Sequence, residues 1–154
     1  MASNEAYLKK VKKFTIQMKK LAGMTVVVGI PASKNKKHAG DGKTVAKIGA
    51  THEYGVPEQG IPQRSFLRVP LMKKSKELID SISKDLKFSK IDTTKALGKL
   101  GARGRNVVLE AFKTQGYGKW KPLSQTTIEM KGSNKPLIDT GQLRQSITFE
   151  VRKA

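Results

Sequence analysis

The sequence predicts an α+β domain in which a small, mainly antiparallel sheet packs against several helices. Two segments have the composition of strands, at residues 24–30 and 146–152, near opposite ends of the chain. Between them, apolar residues recur at the three- and four-residue spacing of amphipathic helices. With 154 residues, the chain has the size of a single domain spanning 1–154.

The first helix is predicted over residues 5–21. Its apolar positions recur at mostly helical spacing, and lysines occupy most positions between them. The apolar residues are Leu8, Val11, Met18 and Leu21, and the lysines are Lys9, Lys10, Lys12, Lys13, Lys19 and Lys20. The pattern is typical of a basic amphipathic helix, which Gly23 ends.

A strand and a basic loop follow this helix. The β-branched run MTVVVGI, residues 24–30, is typical of a buried strand. Residues 31–43 mix Pro, Gly, Ser and Lys without periodicity, which predicts an exposed, mobile basic loop. Four of its lysines are the candidate contacts for DNA or an acidic partner protein: Lys34, Lys36, Lys37 and Lys43.

Four further helices are predicted in the rest of the chain, at 44–54, 71–86, 92–114 and 124–131. Asp92 and Ser124 are the expected N-caps of the last two. Gly98, Gly101 and Gly104 would weaken the long helix unless a close crossing requires them, so close packing is expected there. Asp139 or Thr140 begins a brief turn before the final strand, 146–152, whose polar and apolar residues alternate.

Composition limits the function classes. The chain has 31 Lys and Arg against 12 Asp and Glu, a formal charge of +19, which favours a polyanionic partner. Hydrophobic residues make up 37% and aromatic residues 6%, so neighbouring subunits are expected to complete a thin core. The absence of cysteine excludes disulfides and thiolate sites and suits a reducing cytoplasm. No apolar run is long enough to span a bilayer, and no export signal is visible, so we expect a soluble protein.

Two motifs that suggest catalysis are incomplete in this sequence. His52-Glu53 begins like the zinc-protease helix HExxH, but Val56 stands where the second histidine is required, and His38, the other histidine, lies in the basic loop. Gly42-Lys43-Thr44 resembles the end of a phosphate-binding loop but has Lys37 where the first glycine belongs. We therefore expect no catalytic residue, no metal and no cofactor, with His52 in a capping or packing role.

Two blocks of residues carry a resemblance to a known family. The first comprises residues 50–55, ATHEYG, followed by 61–67, IPQRSFL. The second comprises 120–124, WKPLS, followed by 137–147, LIDTGQLRQSI. Together these blocks resemble the tail-completion and head-tail joining (neck) proteins of tailed bacteriophages, often called phage morphogenesis proteins. Where the family usually has Arg-Pro-Phe, this chain has Arg-Ser-Phe.

The resemblance implies a structural virion protein of the tail or neck that is made in the host bacterial cytoplasm. The implied partners are a ring of identical subunits, hexameric by analogy, and the phage connector and tail tube or terminator proteins. The expected assembly interface is Arg64, Phe66, Leu67 and Arg68, because the prolines and glycines of residues 55–70 can present Phe66 and Leu67 at a defined place. The alternative is that both fill the core.

A second function from another class also fits the charge. A free, non-specific DNA-binding protein would act through the same basic surface and contact backbone phosphates. No helix-turn-helix, zinc finger or aromatic platform is apparent, so sequence-specific recognition is not expected.

Overall fold

The computed structural model describes residues 2–37, 42–88 and 92–154. Eight helices and two strands are described in these ranges, with 3-10 turns at Ala32–Lys34 and Pro57–Gln59. In chain order the elements are α1 (Ala2–Ala22), β1 (Met24–Gly29), α2 (Val45–Tyr54), α3 (Arg68–Lys73), α4 (Ser75–Phe88), α5 (Thr93–Lys113), α6 (Gln115–Gly118), α7 (Gln125–Lys131), α8 (Gln142–Ser146) and β2 (Thr148–Lys153). The predicted α+β class with a small antiparallel sheet is confirmed.

The sheet joins the two ends of the chain. Strands β1 and β2 pair antiparallel, in a register that runs from Met24 opposite Lys153 to Gly29 opposite Thr148. Helix α5 packs against both strands. Burial alternates along most of β1, and Val27 is 40% exposed, so β1 is a half-buried strand and not the buried strand that was expected. A two-stranded sheet covered by α5 on one face leaves its other face open to solvent.

Helix α5 is the central helix, and its start matches the prediction. Asp92 is the N-cap, and its carboxylate accepts a hydrogen bond from the backbone N–H of Thr94. The sheet crosses α5 where Gly101 and Gly104 remove side chains from the helix surface. A Cβ at Gly101 would overlap the ring of Phe149, and one at Gly104 would lie 3.0 Å from Val28. The expected close packing is confirmed at these two glycines.

The core lies between α5, α2 and the C-terminal segment. Its buried residues are Val45, Phe66, Val108, Ala111, Phe112, Trp120, Leu143 and Ile147. Phe112 contacts Phe66 at a ring-centroid distance of 5.1 Å and meets Trp120 edge-on at 6.0 Å. Aromatic pairs of this geometry add to the stabilisation that burial provides.

Two predicted elements differ in the structure. The helix expected at 71–86 is divided into α3 and α4 at Lys74, and α3 already begins at Arg68. Pro70 is tolerated inside α3 because it lies in the first turn, where a backbone N–H has no intrahelical acceptor. Part of the expected loop at 31–43 is ordered by the turn Ala32–Lys34 and by a bridge between Lys37 and Thr44. His38 lies outside the described residues.

Within the described part of the chain, no helix combines the length and the apolar character needed to cross a bilayer.

Substitutions at two glycines of α5 distinguish the effect of close packing on stability from the effect of helix propensity. We expect Gly101→Ala to lower the free energy of unfolding by about 1–3 kcal/mol, because the new methyl group displaces the Phe149 ring. A Cβ at Gly98 would have no other atom within 4 Å, so Gly98→Ala should raise stability by about 0.5–1 kcal/mol through helix propensity. Urea unfolding of both variants tests this, and equal effects would contradict the close crossing at Gly101.

Candidate functional site

The carboxylate of Glu53, in the last turn of α2, is buried and surrounded by hydrogen-bond donors. The residue is 4% exposed. Its Oε1 accepts from Ser65 Oγ at 2.5 Å and from the Arg68 N–H at 3.0 Å. Its Oε2 accepts from the N–H groups of Phe66 and Leu67, each at 3.0 Å. Four donors on one buried carboxylate offset the cost of removing its charge from water.

These bonds cap α3. The N–H groups at the start of a helix have no intrahelical acceptor, and the N-cap residue Leu67 has no side chain that can supply one. Glu53 supplies the acceptor from a different helix and places a negative charge at the positive end of the α3 dipole. Ser65 Oγ extends the arrangement by accepting from the Val69 N–H at 3.1 Å. We call Glu53 and its partners Ser65, Phe66, Leu67 and Arg68 the Glu53 cluster.

The loop between α2 and α3 is shaped so that Arg64 returns beside the end of α2. Gly55 has φ 75°, and a Cβ there would lie 2.7 Å from the backbone nitrogen of Gln63, so glycine is required. Val56 and Ile61 then form an antiparallel bridge around the 3-10 turn. The loop closes where the Arg64 N–H donates to the carbonyl of His52 at 2.8 Å.

The guanidinium of Arg64 connects this loop to the segment before α7. Its Nε and Nη2 donate to the carbonyl of Lys121 at 3.0 and 2.9 Å, and Nη2 also donates to Pro122 at 3.2 Å. Trp120 Nε1 donates in turn to the carbonyl of Ser65 at 3.3 Å. The segments IPQRSFL and WKPLS, far apart in sequence, are therefore bonded to each other.

The residues expected at the assembly interface divide into an inner and an outer group. Arg64 and Phe66 are buried, so neither side chain is available to a partner of this chain. Phe66 belongs to the core, as the core-filling alternative for Phe66 and Leu67 predicts. Leu67 is half-buried and packs against the core. Arg68 is exposed, and its guanidinium lies 5.9 Å from the ring centroid of Tyr54. Arg68 is thus the one member of the set that faces solvent freely.

His52 lines a cleft of about 400 Å³ between α2, α7 and α8. Its Nδ1 is buried without a hydrogen-bond partner in the described structure. Burial lowers the pKa of His52 below 6.5, and the positive charges of Arg64 and Lys131 lower it further. The cleft floor is mainly aliphatic: Val45, Ile48, Ile61, Leu123, Leu137 and Leu143.

The electrostatic environment of His52 opposes its protonation. The charged groups that act on His52 are cations, which oppose the proton uptake of a general base. Among residues 2–37, 42–88 and 92–154, no group of three or more His, Cys, Asp or Glu side chains could hold a metal ion. Thr44, which follows the phosphate-loop-like Gly42-Lys43 pair, serves as the N-cap of α2 and accepts from the Lys47 N–H at 3.3 Å.

The candidate lysines for DNA or partner contact lie near the start of α2. Lys34, Lys36, Lys37 and Lys43 are all exposed. Their backbone is held in place, because the Val45 N–H donates to the carbonyl of Lys36 at 2.9 Å and Gln142 Nε2 donates to that of Lys37 at 3.0 Å. The structure therefore gathers these lysines at one end of the domain.

The capping role of Glu53 was not predicted from the sequence, in which Glu53 was considered only as part of the zinc-protease-like pair His52-Glu53. The available signal was indirect: a short helix begins near Arg68 with no Ser, Thr, Asp or Asn at the cap position. An uncapped helix start requires an acceptor from elsewhere, but the sequence does not specify which residue provides it.

Replacing Glu53 tests the capping role. Glu53→Gln keeps the shape but leaves one oxygen for four donors and turns an NH2 group toward two of them, so we expect a loss of about 2–4 kcal/mol in the free energy of unfolding. Glu58→Gln, at an exposed position in the turn Pro57–Gln59, is the matched control and should change stability by less than about 0.5 kcal/mol. Urea unfolding at pH 7 measures both, and a small loss for Glu53→Gln would contradict the role.

The lowered pKa of His52 predicts a pH dependence of stability. Because the unfolded chain takes up this proton more readily, the contribution of His52 is complete above pH 6.5 and is lost as the pH falls from 6.5 through the folded-state pKa. Between pH 7.5 and 5, the wild-type protein should therefore lose stability relative to His52→Gln. Urea titrations of both proteins at several pH values in this range measure the difference. If the free energy of unfolding changes equally with pH in both proteins, burial of His52 does not disfavour its charged form.

Comparison of this chain with protein-family models, curated proteins and solved structures finds no match.

Proposed function

We propose that this chain is a structural virion subunit that completes the tail or joins head to tail, as part of a ring, during assembly of a tailed phage. The supporting observation is that the two blocks resembling tail-completion proteins are bonded to each other through Arg64, Trp120 and Ser65. Residues from both blocks are therefore joined in one hydrogen-bonded unit.

The use of the polar residues also favours a structural role. The carboxylate of Glu53 and the Nε and Nη2 groups of Arg64 are engaged by backbone groups of the same chain. Buried polar groups satisfied in this way fix a backbone conformation. The chemistry of the site is therefore that of holding segments together.

Incomplete edges are what a ring subunit is expected to have. Among the described residues, β1 and β2 each pair along one edge only, and a two-stranded sheet is marginally stable by itself. A closed cyclic assembly lets each subunit cover exposed surface of the next. The resemblance implies six subunits, with the connector and the tail tube or terminator proteins as neighbours.

A free, non-specific DNA-binding protein is the second candidate. The observation that favours it is the group of exposed lysines near the start of α2, in a chain with 31 Lys and Arg against 12 Asp and Glu. Binding would come from phosphate contacts and would weaken steeply with salt. In the virion subunit, the same lysines would face packaged or passing DNA.

Electron microscopy of particles from a phage that lacks this gene separates the two functions. We expect finished heads beside unjoined or incomplete tails, because the connection would lack its ring, and we expect complementation with the wild-type gene to restore joined particles. Normal, infectious particles would contradict the virion role. Salt-dependent binding of random-sequence duplex DNA by the purified protein would then support the second candidate.

A further inference from the structure

Helix α1 carries an apolar face that the rest of the chain leaves largely uncovered. Leu8, Val11 and Phe14 are 51%, 42% and 59% exposed, while Met18 and Leu21 are half-buried. From Val11 the spacing is three, four and three residues, which is the repeat of a coiled-coil seam. We call these five residues the α1 seam.

The C-terminal half of α1 packs against the body of the protein. Lys20 Nζ donates to the Asp92 carboxylate at 3.1 Å, just before α5. Lys13 and Gln17 line a crevice against Asp92 and Thr93. Met18 and Leu21 are half-buried in this half, whereas Lys13 and Lys20 remain exposed. The apolar positions of the N-terminal half, Leu8, Val11 and Phe14, are the ones left open to a partner.

The charge around the seam selects the kind of partner. Helix α1 has six lysines and one acidic residue, Glu5, which is already paired with Lys9 at 3.0 Å. Lys10 borders one side of the seam, and Lys12 and Lys19 border the other. Two copies of α1 would bring these lysines together, so charge repulsion disfavours self-pairing. Acidic residues on a partner would complement them.

We propose that the α1 seam is a docking surface for an acidic helix of another protein, with apolar residues at its own seam and Glu or Asp at the flanking positions. The anchors at Val11, Phe14, Met18 and Leu21 match the spacing by which helices recognise each other. A flat bilayer fits less well, because the body of the protein half-covers Met18 and Leu21. The proposal is independent of the virion role, since it rests on α1 alone.

The test uses the full chain and two designed 28-residue helical peptides. Both have Leu at the seam positions; one has Glu at the flanking positions and the other has Lys. Fluorescence anisotropy at low salt should show that the Glu peptide binds at least tenfold more tightly than the Lys peptide. The double variant Val11→Ser, Phe14→Ser should weaken binding of the Glu peptide at least tenfold. Circular dichroism of this variant establishes that it is folded, since both side chains are exposed in the wild-type protein.

Met130→Ser is the matched control, because Met130 is 80% exposed on α7 and lies outside the seam. It should bind the Glu peptide as the wild-type protein does. Failure of the Glu peptide to bind, equal binding of both peptides, or an unaffected double variant would each overturn the proposal. So would seam-dependent binding to vesicles of phosphatidylcholine and phosphatidylglycerol without peptide binding, or a dimer in sedimentation velocity that the double variant abolishes.

Discussion

The hydrogen bonds of the Glu53 carboxylate are the interaction on which the arrangement of this domain depends. They tie the last turn of α2 to the start of α3 and set the direction of the chain there, so that Phe66 enters the core and Arg68 faces outward. Since Phe66 lies against Phe112 of α5, the position of this carboxylate is linked to the packing of the central helix. A buried charge is stable here because the backbone provides its partners.

Arg64 performs the complementary task with the opposite charge. Glu53 accepts from N–H groups at the start of α3, and Arg64 donates to carbonyl groups before α7. Both are adjacent in space to the end of α2, so two segments that lack regular hydrogen bonding, the α2–α3 loop and the segment before α7, are fixed by two side chains. This explains why a stretch rich in proline and glycine has a defined conformation.

The distribution of charge and apolar surface gives the protein two different outward-facing regions. Near the start of α2, exposed lysines lie on a backbone that is anchored by hydrogen bonds. Along α1, lysines border exposed aliphatic and aromatic side chains. The first region has the chemistry of phosphate contact, and the second has that of docking to an acidic, partly apolar surface. The contacts proposed for polyanions and for a protein partner therefore use separate surfaces of the chain.

The sequence by itself determined the α+β class, both strands, the caps of α5 and α7, and the need for close packing at Gly101, because hydrophobic period, cap residues and glycines are local signals. Only the tertiary structure decided that Glu53 caps α3, that Arg64 and Phe66 are internal, that one predicted helix divides at Lys74, and that α1 leaves Leu8, Val11 and Phe14 exposed. Those outcomes depend on contacts between residues distant in sequence, and the local sequence pattern does not specify such contacts.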